Sequence, residues 1–329
     1  MSLCLCGYRT SRLLVAVLYN VARKESPLAR AETVSTEELK SIARRIRRHI
    51  VQMTAAANSG HPGGSLSSVE IATALYFRIM RHDPQNPLWP DRDRFIVSKG
   101  HATPMVYGTM AEAGYFPVEE LMTFRKLGSR LQGHTIMQKP PGVEMSAGAL
   151  GMGLSFALGC ALAGRLDGRD YRVYCLLSDG DCQEGQTWEA ALASAHHKAA
   201  NLTAIVDRNH IQNDGFSDYL RFPDKDGDRP QRPGGWVMED GHTANIMTTE
   251  PFEDKWRAFG WRTAHIDGHD LGAIIGALEE AQAQKDGPSV IICETTKGKG
   301  VSYMENNPDF HGKAPSPEQL EQALTELAD

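Results

Sequence analysis

The sequence predicts an α/β fold, a parallel sheet with helices on both faces, and three observations support this prediction. Apolar runs at 173–177 and 202–206 are each followed by turn-forming polar residues, which is typical of strands buried on both faces. The alanine-rich segment 184–201 lies between them, in the strand, helix, strand order of a right-handed crossover. The same order returns near the C-terminus, where apolar runs at 261–266 and 288–294 enclose a further helical pattern. Such alternation favours a parallel α/β sheet.

The remaining elements are predicted from caps, spacing and turns. Ser35 and Glu38 have the spacing of a capping box, and apolar residues follow at helical spacing until Ser59-Gly60. Small residues throughout 148–164 predict a helix that packs very close to neighbouring backbone. The other predicted elements are, in chain order, a glycine-rich turn at 61–65, a helix at 68–80, a strand at 94–98, a helix from His101, a loop through 128–134, a helix at 271–284 and a helical tail at 316–329.

One segment breaks this alternation. Residues 216–245 are rich in aspartate, proline and glycine and have little apolar periodicity, so they are predicted to form a long surface loop. Loops of this length inside a compact domain tend to be functional or disordered. One domain is expected over 35–315, because no linker divides it. The basic extension over 1–34 is consistent with a transit-type peptide, with a frayed extension or with a mistaken start codon.

Composition excludes several classes of function. The chain has 35 Lys and Arg against 41 Asp and Glu, a net charge of -6, and no basic block, which argues against a nucleic-acid partner. No apolar run is long enough to span a membrane. The six cysteines include no C-x-x-C pair and are expected to be free thiols in a reducing compartment. These observations predict a soluble, cytoplasmic protein.

Polar residues directly follow the two central strands. Asp179 comes after the run at 173–177 and Asn209 after the run at 202–206, so both are expected at the carboxyl edge of the sheet, where open α/β folds bind ligands. A carboxylate and an amide oxygen are hard ligands that suit Mg²⁺ or Ca²⁺ rather than zinc. Because Mg²⁺ completes its shell with phosphate oxygens and water, the pair implies a phosphorylated ligand. An ordinary Asp-Gly structural turn is the alternative interpretation.

Four histidines lie in turns next to glycine. They are His61, His101, His134 and His311. Histidine can donate to phosphate or relay protons at neutral pH, so a shared cleft that receives an anion is favoured over four unrelated solvated side chains. The sequence has no G-x-x-x-x-G-K-[ST] motif, and its G-x-G at 151–153 lacks the third glycine of a dinucleotide fingerprint.

Several of these segments resemble the N-terminal half of transketolase. Asp179-Gly180, a helix and then Asn209 are similar to the thiamine diphosphate motif, although Ser178 replaces its usual first glycine and leaves the tight backbone geometry there open. Five further segments match in order and at similar spacing: NSGHPGGSLS at 58–67, RDRFIVSKGHA at 92–102, FRKLGSRLQGH at 124–134, GALGMGLSFALG at 148–159 and HGKAP at 311–315. The resemblance covers about residues 35–315.

The resemblance implies a role for each matching residue. Asp179, Asn209 and the main-chain carbonyl of Ile211 would hold Mg²⁺, for which Ca²⁺ or Mn²⁺ can substitute, on the diphosphate. The other implied roles are diphosphate binding for His101, His311 and the backbone at Gly180; proximity to the cofactor rings for Gly148 and Leu150; a subunit interface near the cofactor for Glu184 and Glu189; and sugar binding with proton transfer for His61, His134 and His311.

The same resemblance implies a reaction and a partner. A two-carbon ketol unit would pass from a ketose, or its phosphate, to an aldose through thiamine diphosphate. In this family a second type of domain holds the pyrimidine ring, so the chain is expected to be the N-terminal subunit of a split transketolase. It would be active only with a C-terminal subunit that carries the pyrimidine-binding domain, in an α₂β₂ assembly. Two alternatives stay open: a component similar to deoxyxylulose-phosphate synthase, or a non-catalytic subunit that binds the cofactor and regulates a partner.

Overall fold

The computed structural model describes residues 34–212 and 247–328 of the chain. Apart from Val34, the predicted extension at 1–34 lies outside these residues, and so does the predicted loop at 216–245. Within them, no helix combines the length and apolar character that a membrane span needs. The cysteines at 160, 175, 182 and 293 are free thiols, as expected, and the last three are buried.

Five parallel strands form one sheet in the described part of the chain, which confirms the predicted fold class. The strands are β1 (Arg94–Val97), β2 (Val173–Ser178), β3 (Leu202–Arg208), β4 (Arg262–Asp267) and β5 (Ser289–Glu294). They are ordered β1-β2-β3-β5-β4, and every neighbouring pair is parallel. Ser178 at the end of β2 pairs with Asp207 near the end of β3. The residues that follow these two strands therefore meet at one edge of the sheet.

Helices alternate with the strands along the chain. They are α1 (Thr36–Ala57), α2 (Pro62–Leu66), α3 (Val69–Ala74), α4 (Thr103–Glu112), α5 (Gly153–Leu166), α6 (Gly185–His196), α7 (Phe252–Ala258), α8 (Leu271–Ala283) and α9 (Pro317–Glu326). A π-helical turn at Leu75–Ile79 extends α3, and short 3-10 turns lie at Val118–Thr123, Gly180–Gln183 and Pro308–His311. At the start of α1 the Ser35 side chain accepts a hydrogen bond from the Glu38 N–H, as the sequence predicts.

Both faces of the sheet are covered, because successive side chains of a strand point to opposite faces. Cys175 and Leu177 of β2 belong to one buried cluster with residues of α5 and α6 and with Trp256 of α7. Tyr174 points the other way, and its hydroxyl accepts a hydrogen bond of 2.8 Å from Gln282 of α8. Strands β2, β3 and β5 therefore lie in the middle of the core, whereas the edge strand β4 is partly exposed.

Two predictions about local structure were wrong. The segment at 61–65 is more than a turn, because Pro62–Leu66 forms α2; proline suits this first helical position since it has no N–H to leave unpaired. The stretch 148–164 becomes helical only at Gly153. Its predicted close packing is confirmed, because a Cβ atom built on Gly153 would lie 2.4 Å from Cβ of Ser98.

Candidate functional site

The ends of β2 and β3 bring Asp179 and Asn209 together at the edge of the sheet. Both side chains are buried. The Asp179 carboxylate accepts a hydrogen bond of 2.6 Å from the main-chain N–H of His210. The amide oxygen of Asn209 accepts one of 3.2 Å from the N–H of Ile211. The turn at 209–211 is therefore folded directly over the carboxylate that follows β2.

A buried cation lies at the third of the predicted metal ligands. Nζ of Lys297 donates to the main-chain carbonyl of Ile211 over 2.9 Å and lies 2.8 Å from Nδ1 of His311. Burial lowers the pKa of Lys297 to about 7, against the opposing effect of the Asp179 charge. The carbonyl oxygen thus already faces a positive charge, as it would if it bound a metal ion.

The oxygens at this edge fit a divalent cation that also binds phosphate. Asp179 supplies one carboxylate, and Asn209 and Ile211 supply neutral oxygens. Within the described ranges, no group of three or more His, Cys, Asp or Glu side chains could hold a metal ion. Mg²⁺ commonly binds through one or two carboxylates and takes its other ligands from substrate phosphates and water.

A buried ion pair supports the Asn209 side chain. Asp207 pairs with the Lys99 ammonium and also accepts hydrogen bonds from Oγ of Ser67 at 2.6 Å and from Nδ2 of Asn209 at 3.0 Å. Burial by itself would raise the pKa of Asp207, but the Lys99 charge and the hydrogen bonds from Lys99, Ser67 and Thr295 together outweigh it, and the pKa is lowered. Because Asp207 holds the NH₂ group of Asn209, the amide oxygen is turned away from Asp207.

The four predicted histidines lie together in one cluster. The ring centroid of His61 is 5.2 Å from that of His101, 5.7 Å from that of His134 and 5.5 Å from that of His311. The rings of His101 and His311 are 5.0 Å apart. His311 joins this group to the Asp179 edge through its contact with Lys297, which donates to the carbonyl of Ile211. The structure therefore places the histidine cluster and the Asp179 edge side by side.

Burial and nearby positive charge keep the histidines of the cluster neutral. Burial, followed by the charge of Lys297, lowers the pKa of His311 to about 2. Burial also lowers the pKa of His61 to about 4, with smaller effects from His134 and Arg125. Nδ1 of His61 is buried and has no hydrogen-bond partner among the described residues. A buried polar atom without a hydrogen-bond partner costs folding free energy. A ligand that forms a hydrogen bond with this nitrogen would therefore bind more tightly.

The loop before α5 packs against the turn that follows β2. Cδ1 of Leu150 lies 3.5 Å from the position of a Cβ atom on Gly180, an ordinary contact distance. Gly148 is exposed, and nothing lies within 4 Å of a Cβ atom built there. Glu184 and Glu189 are exposed on α6 or its N-terminus. Their predicted roles beside the cofactor rings and at a subunit interface stay predictions.

Ser178 preserves the turn in which the family has glycine. Its hydroxyl lies 2.8 Å from Oδ2 of Asp181 and accepts a hydrogen bond of 3.1 Å from the Asp181 N–H. The chain then forms the short 3-10 turn at Gly180–Gln183. The serine therefore adds a side-chain hydrogen bond without opening the turn.

Sequence reasoning missed Lys99, Lys297, Asp207 and Arg125. The lysines stand next to glycine in SKGH and TTKGKG, as the histidines do, and that was the available signal. The Arg125 guanidinium lies against Gly133, with Cζ 2.7 Å from the position of a Cβ atom there. After burial, the charge of Arg125 is the other cause of the lowered pKa of His134.

Comparison with known proteins gives consistent matches over this region. The profile of the transketolase thiamine diphosphate-binding domain matches residues 39–236 and 234–328. One of the subunits of the apulose-4-phosphate transketolase of Actinobacillus succinogenes is 39% identical over 297 residues, which are 90% of this chain and 98% of that protein. The 6-deoxy-6-sulfo-D-fructose transketolase subunit SqwG of a Clostridium strain is 38% identical, over 88% of this chain and 96% of that protein.

Solved structures of transketolases have the same fold. The enzyme of Campylobacter jejuni superposes with a TM-score of 0.76 at 30% identity, over 89% of this chain and 43% of that one. A Pichia stipitis transketolase in complex with sedoheptulose 7-phosphate gives a TM-score of 0.77 at 30% identity, over 89% of this chain and 41% of that one. The chain thus spans less than half the length of these transketolases.

Proposed function

The chain belongs to the transketolase family, as a thiamine diphosphate-binding domain, and from this premise we propose that it is the cofactor-binding subunit of a two-chain transketolase. One observation carries the proposal: four neutral histidines and a buried lysine lie beside the oxygens of Asp179, Asn209 and Ile211. This edge offers both a cation site and donors for the anion that would share it.

The diphosphate of the cofactor is assigned to the junction of the two groups. Asp179, Asn209 and the carbonyl of Ile211 would hold Mg²⁺ against it. Lys297, His101 and His311 would donate to its oxygens, since they lie in contact with one another beside that edge. Lys297 would then turn from the Ile211 carbonyl towards the diphosphate, because an ammonium and a metal ion cannot share one carbonyl oxygen without repulsion.

The sugar is assigned to the outer part of the histidine cluster. A neutral imidazole has one donor and one acceptor nitrogen, so His61 and His134 can each bind a hydroxyl or carry its proton. The unpartnered Nδ1 of His61 is one such group. When bound, thiamine diphosphate supplies the carbanion stabilisation that ketol transfer requires. The residues of the chain orient the sugar and move protons at its hydroxyl oxygens.

A partner chain is part of the same proposal. Two relatives that this chain covers over 98% and 95% of their length are each named as one subunit of a transketolase, which supports a second chain that carries the pyrimidine-binding domain. An α₂β₂ assembly would follow from two-fold symmetry. The names of the relatives support a phosphorylated or sulfonated sugar as substrate. Buried free thiols support a reducing, cytoplasmic location.

Reconstitution tests this proposal. The purified chain is mixed with a chain that carries the pyrimidine-binding domain, thiamine diphosphate and Mg²⁺, and ketol transfer is followed with apulose 4-phosphate, 6-deoxy-6-sulfofructose and sedoheptulose 7-phosphate as donors. We expect transfer from at least one donor only when both chains are present. A complex that retains the cofactor but transfers no ketol unit would favour the regulatory alternative. A chain that never retains the cofactor would contradict both.

A further inference from the structure

Asp181 is a buried carboxylate to which the proposed function gives no task. Its side chain is fully buried, two residues after Asp179. Among the described residues no lysine, arginine or histidine forms an ion pair with it, unlike the nearby buried Asp207. A buried charge without a counterion is costly unless hydrogen bonds compensate it. The arrangement of those hydrogen bonds shows what the charge holds in place.

The carboxylate of Asp181 accepts hydrogen bonds from three separate parts of the chain. Oδ1 accepts from Oγ of Ser98 at 2.5 Å and from the N–H of Gly151 at 2.8 Å. Oδ2 accepts from the N–H of Ser178 at 2.8 Å and lies 2.8 Å from its hydroxyl. Ser98 in turn accepts from the N–H of Gly153, the first residue of α5, at 3.1 Å. One side chain therefore joins the end of β1, the start of α5 and the turn after β2.

The two backbone donors flank the residues assigned to the cofactor. Gly151 follows Leu150, which the resemblance places at the cofactor rings, and Ser178 precedes Asp179, which is assigned to the metal ion. Leu150 and the turn at Gly180 are in contact. The bonds of Asp181 thus fix the loop at 148–152 and the turn at 178–180 relative to each other.

We propose that Asp181 is a positioning residue that sets the ring-binding loop at 148–152 and the diphosphate-binding turn at 178–180 at the spacing that thiamine diphosphate requires. This inference rests on the proposed function. It accounts for Ser178 in place of glycine, because the serine hydroxyl adds a hydrogen bond to the same carboxylate. Mutation of groups that orient metal-binding residues typically weakens binding about 10–100-fold.

The variant Asp181→Asn separates positioning from packing, because it keeps the size of the side chain. An asparagine side chain has one acceptor oxygen, whereas a carboxylate has two. The hydroxyls of Ser98 and Ser178 can rotate and accept a hydrogen bond from the new NH₂ group, but a main-chain N–H cannot. Whichever way the amide is turned, its NH₂ group faces the N–H of either Gly151 or Ser178. One of the two segments is therefore released. The matched control is Asp286→Asn, because Asp286 is an exposed aspartate in the turn between α8 and β5.

The test uses the full chain assembled with the chain that carries the pyrimidine-binding domain, in Mg²⁺. Titration calorimetry measures the affinity for thiamine diphosphate well below the unfolding temperature of each protein. Hydrogen exchange is measured in peptides that contain Gly151 and Ser178. For Asp181→Asn we expect the Kd of thiamine diphosphate to rise about tenfold and one of the two peptides to exchange faster. Asp286→Asn should change neither. A lower unfolding temperature with an unchanged Kd would show a merely structural role and overturn the inference.

A second variant and a second measurement cover the cases in which Asp181→Asn does not fold or the wild type retains no cofactor. If Asp181→Asn does not fold, Ser98→Ala removes one donor to the same carboxylate, and an unchanged Kd in that variant would overturn the inference. If the wild-type complex of the two chains retains no cofactor, the proposed function fails. Hydrogen exchange then still tests whether Asp181 holds the loop at 148–152 against the turn at 178–180. Equal exchange in wild type and variant at both peptides would contradict that role.

Discussion

At the scale of single residues, two buried lysines beside neutral histidines make the site suited to an anion. Lys297 and Lys99 are buried cations, and their charges contribute to the lowered pKa values of His101 and His311. A bound diphosphate would reverse this effect, since a nearby negative charge favours the protonated imidazole. The histidines would therefore become better donors when the cofactor arrives. In the proposed complex, the bound metal ion and the histidine and lysine donors would thus all contact the same diphosphate.

Removal of either metal-ligand side chain should abolish Mg²⁺-dependent retention of thiamine diphosphate. Asp179→Ala and Asn209→Ala each delete one oxygen from a cation that has few protein ligands, and we expect affinity at least about 100-fold weaker in Mg²⁺. Calorimetry with and without Mg²⁺ measures this effect. Asp286→Ala, at an exposed site, is the control. Unchanged cofactor affinity in the first two variants would refute the metal assignment.

The lowered pKa of His61 predicts how stability depends on pH. The pKa is about 4 in the folded chain against 6.5 for an ordinary histidine, so between these values the unfolded chain binds the proton more readily. Stability is therefore fully present above about pH 6.5 and is lost as the pH falls towards about 4. His61→Gln should lose less stability over this window than wild type, as measured by urea unfolding. His197→Gln, at an exposed histidine, should follow wild type; equal pH dependence in all three proteins would contradict the prediction.

At the scale of elements, α5 shows how closely the sequence controls packing at the sheet edge. Its first residue, Gly153, lies against Ser98 at the end of β1, so the helix can begin beside the strand only without a side chain there. Six residues later, Gly159 lies in the same helix, and nothing is found within 4 Å of a Cβ atom built on it. Close packing against β1 therefore requires glycine at position 153, whereas no steric contact requires glycine at position 159.

One substitution should therefore have opposite effects at these two glycines. Gly153→Ala should lower the free energy of unfolding by about 1–3 kcal/mol, because the new methyl group overlaps Ser98. Gly159→Ala should raise it by about 0.5–1 kcal/mol, because alanine restricts the unfolded chain and favours the helix. Urea unfolding of the isolated chain measures both changes. A neutral Gly153→Ala would show that β1 and α5 can separate without cost.

Features that depend on neighbouring residues could be predicted from the sequence, whereas features that depend on contacts between distant segments could not. Strands β2 and β3 were predicted because burial on both faces leaves an uninterrupted apolar run. Helix α7 was missed: it has no side-chain N-cap, and its buried Phe252 and Trp256 give little periodicity. The histidines were found through their glycine neighbours. Asp207 could not be found, because its burial and its ion pair depend on segments distant in the chain.

At the scale of the whole molecule, large apolar side chains are exposed on α5 and α6, two helices that a hydrogen bond of 2.5 Å from Nε2 of Gln186 to Oγ of Ser155 joins. They include Met152, just before α5, Phe156 on α5 and Leu192 on α6, which are 46%, 37% and 59% exposed. The exposed Glu184 at the start of α6 lies against Gly151, the residue before Met152. Large apolar side chains grouped on a surface are typical of an interface. The resemblance places the pyrimidine-binding partner on this side of the cofactor.

The last prediction concerns that partner. Purified alone, the chain should self-associate and show no ketol transfer, and activity should then appear in proportion to the complex formed with the pyrimidine-domain chain. Phe156→Lys and Leu192→Lys should each weaken that complex about tenfold or more, because a charge in the buried part of an interface loses its hydration without gaining a partner. Leu166→Lys is the matched control: Leu166 is 88% exposed at the opposite end of α5, so complex formation should not change. Sedimentation measures association, and thermal unfolding shows that each variant is folded. Robust ketol transfer by the chain alone, free of host transketolase, would overturn the two-chain proposal. An unchanged complex in both Phe156→Lys and Leu192→Lys would place the partner elsewhere on the surface.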